Sequence, residues 1–289
     1  MTATYLTPKR YRTLGSGIAL PDTDAELVPA LTVASAMVNT YCAAPVDHDF
    51  RGGSVTDEQH PWESGNAWRF GSSRVYPYHK PIRSASKFQV DITNEQRLTL
   101  DDPVGLYINK VEGWIEPVAL ALTSGALFGW SIMPNINLVA KVDYEYGWRF
   151  TATDEQLASV SGGELQALNQ FWFTDTPAVI KQDGNTLSSS QYTVDSIEGR
   201  VTVSGYDSAS VYAATYEYPL PPAISQATGL IATDILAQAG VAAAGLNGLS
   251  YLRVEEIEIR QSSTIGLYAR PVNAAAAMLL TPYIYQSWG

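Results

Sequence analysis

The sequence is short of the residues on which most protein chemistry is built. Its 289 residues include one cysteine and three histidines, and 18 Lys and Arg stand against 29 Asp and Glu, a net charge of −11. The lone Cys42 excludes an internal disulfide framework and a multi-thiolate metal site, and in "SAMVNTYCAA" it reads as a small buried thiol. His48 in "DHD" has no second His or Cys at ligand spacing and reads as part of a solvated acidic loop. His60 in "EQHPW" and His79 in "YHKP" stand alone beside prolines, in turn or packing roles. No metal and no cofactor are expected.

Long apolar runs are missing too. The longest, "NAAAAMLL", is far short of a membrane span, and "MTATYLTPKRYRTLG" lacks the apolar stretch of a secretory signal. The expectation is a soluble protein, made in a cytoplasm, with no membrane partner. There is no GxSxG, HExxH, CxxC or phosphate-binding glycine loop. The paired carboxylates Asp101–Asp102, Asp154–Glu155 and Glu255–Glu256 are adjacent in sequence, whereas glycosidases need two carboxylates across a cleft. "LDDPV" reads as a turn entering a strand and "TDEQ" as a helix start. The chain is not expected to be an enzyme.

Cations are also unevenly placed. Trp68 to Arg97 holds Arg69, Arg74, Lys80, Arg83, Lys87 and Arg97 against two acids, while Asp154 to Leu252 holds ten acids against Lys181 and Arg200. Phosphate affinity rests on neutralised charge, so sequence-specific DNA binding is not expected.

What the chain has is hydrophobic residues (46%), 17 Tyr and 7 Trp, with only 16% charged residues. Such aromatics fill cores and subunit contacts, or line a sugar-binding platform. Residues Thr23 to Cys42 read as a helix with Leu27, Leu31, Ala34, Val38 and Tyr41 on one face. Thr23 and Glu26 resemble a capping box, and Pro29 implies a kinked first turn or a later start. A loop follows, "APVDHDFRGGSVTDEQHPWESGNAW". From Trp68 to Tyr218 the chain reads as strands: "FQVDI", "RLTL", "GLYINKV", "LVAKVDYEY", "QYTVD", "RVTV" and "VYAATYEY". A helical interruption, "ATDEQLASVSGGELQALNQF", is expected between them. "VDYEYGW" and "ATYEYPL" close the two parts, a faint internal echo. A second helix spans Pro222 to Gly240, with Ile224, Ala227, Ile231 and Ile235 on one face. "VEEIEIR" and "STIGLYA" read as strand or loop, and a short helix between Pro271 and Pro282 precedes an aromatic end.

The expected fold class is α+β: a small helical bundle, built from the N-terminal helix and C-terminal helices, carrying a large inserted antiparallel β-rich domain. The expected boundaries are 1–67 for the first helix and loop, 68–218 for the β domain and 219–289 for the second bundle part and tail. Leu31, Val38, Ile224, Ile231 and Ile235 are the expected bundle core. The stretch Ala274–Trp288 is expected to be an assembly element, with Leu279, Leu280, Tyr283, Tyr285 and Trp288 as interface anchors.

In order, "TDAELVPALTVASAMVNTYCAAP", "RLTLDDPV", "QYTVDSIEGRVTV", "VYAATYEYPLPPAISQATGLIATDIL" and "AAAAMLLTPYIY" resemble the head–tail adaptor (connector, head-completion) proteins of tailed bacteriophages, with an enlarged β insertion. The resemblance implies a structural virion protein of the phage neck, assembled in the host cytoplasm as a dodecameric ring. Its implied partners are the portal ring, neighbouring adaptor subunits and the next neck or tail protein, around a channel through which DNA passes. An acidic wall would keep that DNA from sticking. The alternatives are a phage fibre, baseplate or surface module that binds glycan through its aromatic β-domain, and a glycan hydrolase with two converging carboxylates.

Overall fold

The computed structural model describes residues 4–14, 20–45, 47–63, 74–91, 97–101, 106–110, 112–117, 137–245 and 273–285. The fold is α+β, with N-terminal helices packed on C-terminal helices and an antiparallel β-rich region of four sheets between them. The chain divides into two compact units, one of residues 1–50 and 149–289, the other of residues 51–148. The expected β domain at 68–218 is therefore split between the units rather than forming one lobe.

The first unit holds the helices. Helix α1 (Pro8–Thr13) is capped by Thr7, whose side chain accepts the Arg10 N–H. Helix α2 (Asp24–Tyr41) starts at Thr23 without a side-chain cap bond, so the capping box does not form, and Pro29 lies inside the helix. Helix α3 (Pro222–Gly245) runs past Gly240, and α4 (Ala274–Leu280) passes into a 3-10 turn, Thr281–Tyr283. Helix α3 packs on α2 and on α4. Leu31, Val38, Ile224 and Ile231 are buried, while Ile235 is half-buried. Tyr11 on α1 bonds Thr233 on α3 at 2.8 Å, and Arg12 pairs with Asp24 at 2.7 Å.

The same unit holds two sheets. One has the order β11-β10-β14-β7, from β7 (Phe150–Gln156), β10 (Val179–Gln182), β11 (Asn185–Thr186) and β14 (Tyr212–Tyr218). The other, β12-β13-β9-β8, joins β8 (Ala158–Ser161), β9 (Glu164–Gln166), β12 (Tyr192–Asp195) and β13 (Arg200–Val203). The expected helix over 152–171 is thus three strands and a loop. Left-handed Gly162 and Gly163 turn β8 into β9. Leu165, Trp172, Ile180, Val201, Ala214 and Tyr216 fill the core between these strands.

The second unit has the sheet order β1-β6-β2-β3, from β1 (Gly53–Glu63), β2 (Ile82–Asp91), β3 (Arg97–Asp101) and β6 (Asn137–Tyr146). A hairpin of β4 (Leu106–Asn109) and β5 (Trp114–Pro117) completes it. The stretch expected as a loop before Trp68 supplies β1, whose polar sequence hides a long pairing with β6. Val75, Ile82, Phe88, Ile115, Val142 and Tyr144 form its core.

The main sheets of the two units repeat one plan. Read outward, β1-β6-β2-β3 matches β7-β14-β10-β11. "TDEQ" occurs in β1 (Thr56 to Gln59) and in β7 (Thr153 to Gln156), while "YEY" occurs in β6 (Tyr144 to Tyr146) and in β14 (Tyr216 to Tyr218). In the first pair Val55 faces Tyr144 and Glu58 faces Val142; in the second, Ala152 faces Tyr216 and Glu155 faces Ala214. Each skips two residues as a bulge, whose second residue is an aspartate with positive φ, Asp57 at 53° and Asp154 at 50°. Bulges twist a strand and re-aim the next side chain. Here that side chain is the glutamate.

Candidate functional site

Both glutamates are turned into the same arrangement. Glu58 accepts from the Tyr144 hydroxyl at 2.6 Å and the Tyr78 N–H at 2.9 Å, and the Tyr144 oxygen accepts the His79 N–H at 3.1 Å. Glu155 accepts from the Tyr216 hydroxyl at 2.7 Å and the Leu168 N–H at 2.7 Å, and the Tyr216 oxygen accepts the Asn169 N–H at 3.4 Å. Burial and the neighbouring glutamate push both tyrosines far above their ordinary range. Burial raises the Glu58 carboxyl, but hydrogen bonds from His60, Tyr144 and Tyr78 outweigh it and leave the group below its usual range. Each carboxylate spends its oxygens on holding a loop against a strand. The arrangement is a clamp.

The loops so held differ. In the first unit Trp172 stacks on Tyr216 at 3.9 Å and donates to the Asn169 carbonyl at 2.9 Å. A Cβ at Gly199 would lie 2.1 Å from that carbonyl, and Gly199 has φ 63°, so only glycine fits there. In the second unit His79 stacks on Tyr146 at 4.7 Å, and His60 bonds Glu58 at 2.6 Å while lying against Tyr78. Tyr76, Tyr78 and Tyr107 are exposed, Tyr107 lies 5.3 Å from Trp114, and Arg74 sits over the Trp114 ring at 3.9 Å.

His48 corrects its expectation. It is 3% exposed, packs edge-on against Phe50 at 4.7 Å and lies 3.0 Å from the Tyr285 hydroxyl through Nε2. Aromatic packing, not a solvated acidic loop, surrounds it. Cys42 is buried, and burial pushes its thiol up to about 12. Asp154 pairs with Lys181, and Glu155 is taken by the clamp. Asp102, Glu255 and Glu256 lie outside the described residues. Among the described residues no group of three or more His, Cys, Asp or Glu is placed to hold a metal ion, and no helix is long and apolar enough to cross a membrane.

Of the expected assembly anchors near the C-terminus, Leu280 is buried and Leu279, Tyr283 and Tyr285 are half-buried. Leu280 is fully buried, Tyr283 meets Phe50 edge-on at 6.5 Å, and the Tyr285 N–H donates to the Cys42 carbonyl at 2.7 Å. The strip expected to lie open is tied back, because Tyr285 finds partners on the turn after α2. Leu279 is half-buried, and Met278, which sequence reasoning did not single out, is the exposed large apolar residue of α4 at 78%. Trp288 lies outside the described residues, as do "VEEIEIR" and "STIGLYA".

No family model matches the chain, and no curated protein matches it.

Proposed function

We propose that the chain is a structural adaptor of a tailed-phage neck, which docks as a ring on the portal and links the head to the next neck or tail protein. The observation that carries the reading is the joint between β14 and α3. Strand β14 ends at Tyr218 and α3 begins at Pro222, with Pro219, Leu220 and Pro221 buried between them. Three prolines in four residues remove backbone freedom, so the sheet is held at one angle to the helices. A part whose work is geometric needs such a joint and needs no catalytic centre. The order of elements, helix then β region then helix, agrees with the resemblance of the sequence phrases. The outer side of α4, at Met278 and Leu279, is the proposed contact with portal or neighbour, in place of the buried Leu280. By the same resemblance the ring is dodecameric, forms in the host cytoplasm, and lets DNA pass without reading its sequence. Native mass measurement of the protein, alone and mixed with its portal, tests this. A ring-sized species supports the reading, and a monomer under both conditions overturns it.

A second reading has an observation of its own. Tyr76, Tyr78 and Tyr107 of the second unit are exposed aromatic side chains of the kind on which sugars stack. A glycan array decides it: saturable binding lost in Tyr78→Ala would favour a surface-binding module.

A further inference from the structure

The first unit contains a cavity of about 610 Å³, walled by α1, β7, the loop after β9 and the start of α3. That volume lies within the range of ligand sites. Its polar groups have unmet needs of opposite kinds. Arg10 lines it half-buried, donates one N–H to the Leu168 carbonyl at 2.8 Å and has no carboxylate at ion-pairing distance among the described residues. Most other described arginines are paired, Arg12 with Asp24, Arg149 with Asp175 and Glu217, Arg200 with Glu164. Gln170, 6% exposed, lines the same cavity and spends its amide N–H on Thr7 and Glu198, but its Oε1 is a buried acceptor without a partner. Glu155 is also in the wall, yet its oxygens accept from Leu168, Tyr216 and Asn169.

Two further features set the ligand's character. Pro222, Ser225 and Gln226 bring the first turn of α3 into the wall, and that turn carries no acidic residue, in contrast to α2 with Asp24 and Glu26. The positive end of the α3 dipole is thus left for an anion. Leu14 and Leu168, 49% and 72% exposed, stand in the wall as uncovered aliphatic groups. An anion alone would answer Arg10 but offer Gln170 no donor. A peptide answers all of these at once: a carboxylate for Arg10, a backbone N–H for Gln170 and an aliphatic side chain for the leucines.

We propose that this cavity binds a short peptide segment of a partner protein, in which an Asp or Glu stands next to an aliphatic residue. The proposal stands apart from the ring assignment, since any partner carrying such a segment would fit. The test uses the full chain, isotope-labelled, and two pools of blocked tetrapeptides, one pairing Asp or Glu with Leu or Ile, the other with Asn or Gln in place of the acid. The acidic pool should shift the amide signals of Leu168, Asn169 and Gln226; the amide pool and free acetate should not. Arg10→Gln should weaken binding about tenfold, the order of one charged hydrogen bond, in a protein that stays folded. Leu168→Ser, which removes an aliphatic side chain and keeps the carbonyl that Arg10 bonds, should weaken it less. Three outcomes overturn the proposal: no shift at millimolar peptide, equal shifts from both pools, or unaltered binding in folded Arg10→Gln. Self-association that Arg10→Gln abolishes, without peptide binding, also overturns it, because the occupant is then a second copy.

Discussion

The two units solve the same problem with the same parts and surround the solution differently. In each, a bulged strand turns a glutamate onto a tyrosine of the neighbouring strand, and the pair captures two successive backbone N–H groups of a loop. In the first unit that loop goes on to contact α1, through Arg10 with Leu168 and Gln170 with Thr7. In the second the loop carries exposed tyrosines and a stacked histidine. The clamp is common to both; what is built on it is not. A cavity adjoins the clamp in one unit and exposed tyrosines adjoin it in the other, over sheets of the same plan.

The sharpest way to separate the units is to break the helices. Ile231 is 1% exposed on α3, which packs against α2. Ile231→Asp places an unpaired charge there and should cost about 3–5 kcal/mol. Hydrogen exchange should then rise at α2, α3 and β14 and stay unchanged at β1, β2 and β6. A soluble variant of normal stability would remove the packing argument, and equal loss in both sheets would show that they are not separate units.

The next effect tests whether the clamps are equivalent. Glu58→Ala and Glu155→Ala each leave a buried tyrosine hydroxyl and a loop N–H without an acceptor, at about 1–3 kcal/mol per orphaned group. Denaturant unfolding should give losses within about 1 kcal/mol of each other, with exchange rising at Tyr78 and His79 in one variant and at Leu168 and Asn169 in the other. A large loss in one and none in the other would mean that the likeness is geometric only.

How far the sequence reveals this depends on which residues carry each element. Helices α2 and α3 are legible because apolar residues recur on one face, and β6 and β14 because they are rich in Val, Ala and Tyr. Strands β1 and β7 are not, since "TDEQ" is polar and their burial lies on the partner strand. Their shared phrase was the available signal: with the "YEY" echo, a second copy of "TDEQ" at matching bulges marks the repeat. The tail is misjudged for a related reason. Its apolar residues have the character of interface anchors, and only the structure shows Leu280 and Tyr285 meeting the chain's own surface. The cavity is not legible at all, because Arg10, Gln170 and Ser225 are distant in sequence.

A smaller effect follows from charge. The folded Glu58 carboxyl lies below its unfolded value of about 4.3. A lowered carboxyl stabilises the fold above the unfolded value, and the contribution is lost as pH falls through the folded one. The buried tyrosines run the other way: with Tyr144 and Tyr216 raised, their contribution is complete below about pH 10 and fades as pH climbs through the raised values. Acid below about pH 4 should therefore weaken the second unit, and Glu58→Gln should flatten that part of the pH–stability curve. An unchanged acid limb in Glu58→Gln would deny the carboxylate this role.

The smallest expected effect concerns the two bulge aspartates. Asp57 pairs with Lys87 at 3.0 Å and Asp154 with Lys181 at 2.7 Å, both at exposed positions. Exposed ion pairs contribute about 0–1 kcal/mol, so if aspartate is there for its charge, little is at stake. The alternative is its backbone. At φ 53° and 50° both residues occupy the left-handed region, which a short polar side chain tolerates and which costs others about 1–2 kcal/mol. Asparagine keeps that tolerance and removes the charge; alanine removes both. Asp57→Asn and Asp154→Asn should thus lie within about 0.5 kcal/mol of the parent in either unit, while Asp57→Ala and Asp154→Ala should cost about 1–2 kcal/mol. If asparagine cost as much as alanine, the lysine pairs rather than the bulge geometry would hold these positions, and the matching "TDEQ" would mark conserved charge instead of a conserved turn of the chain.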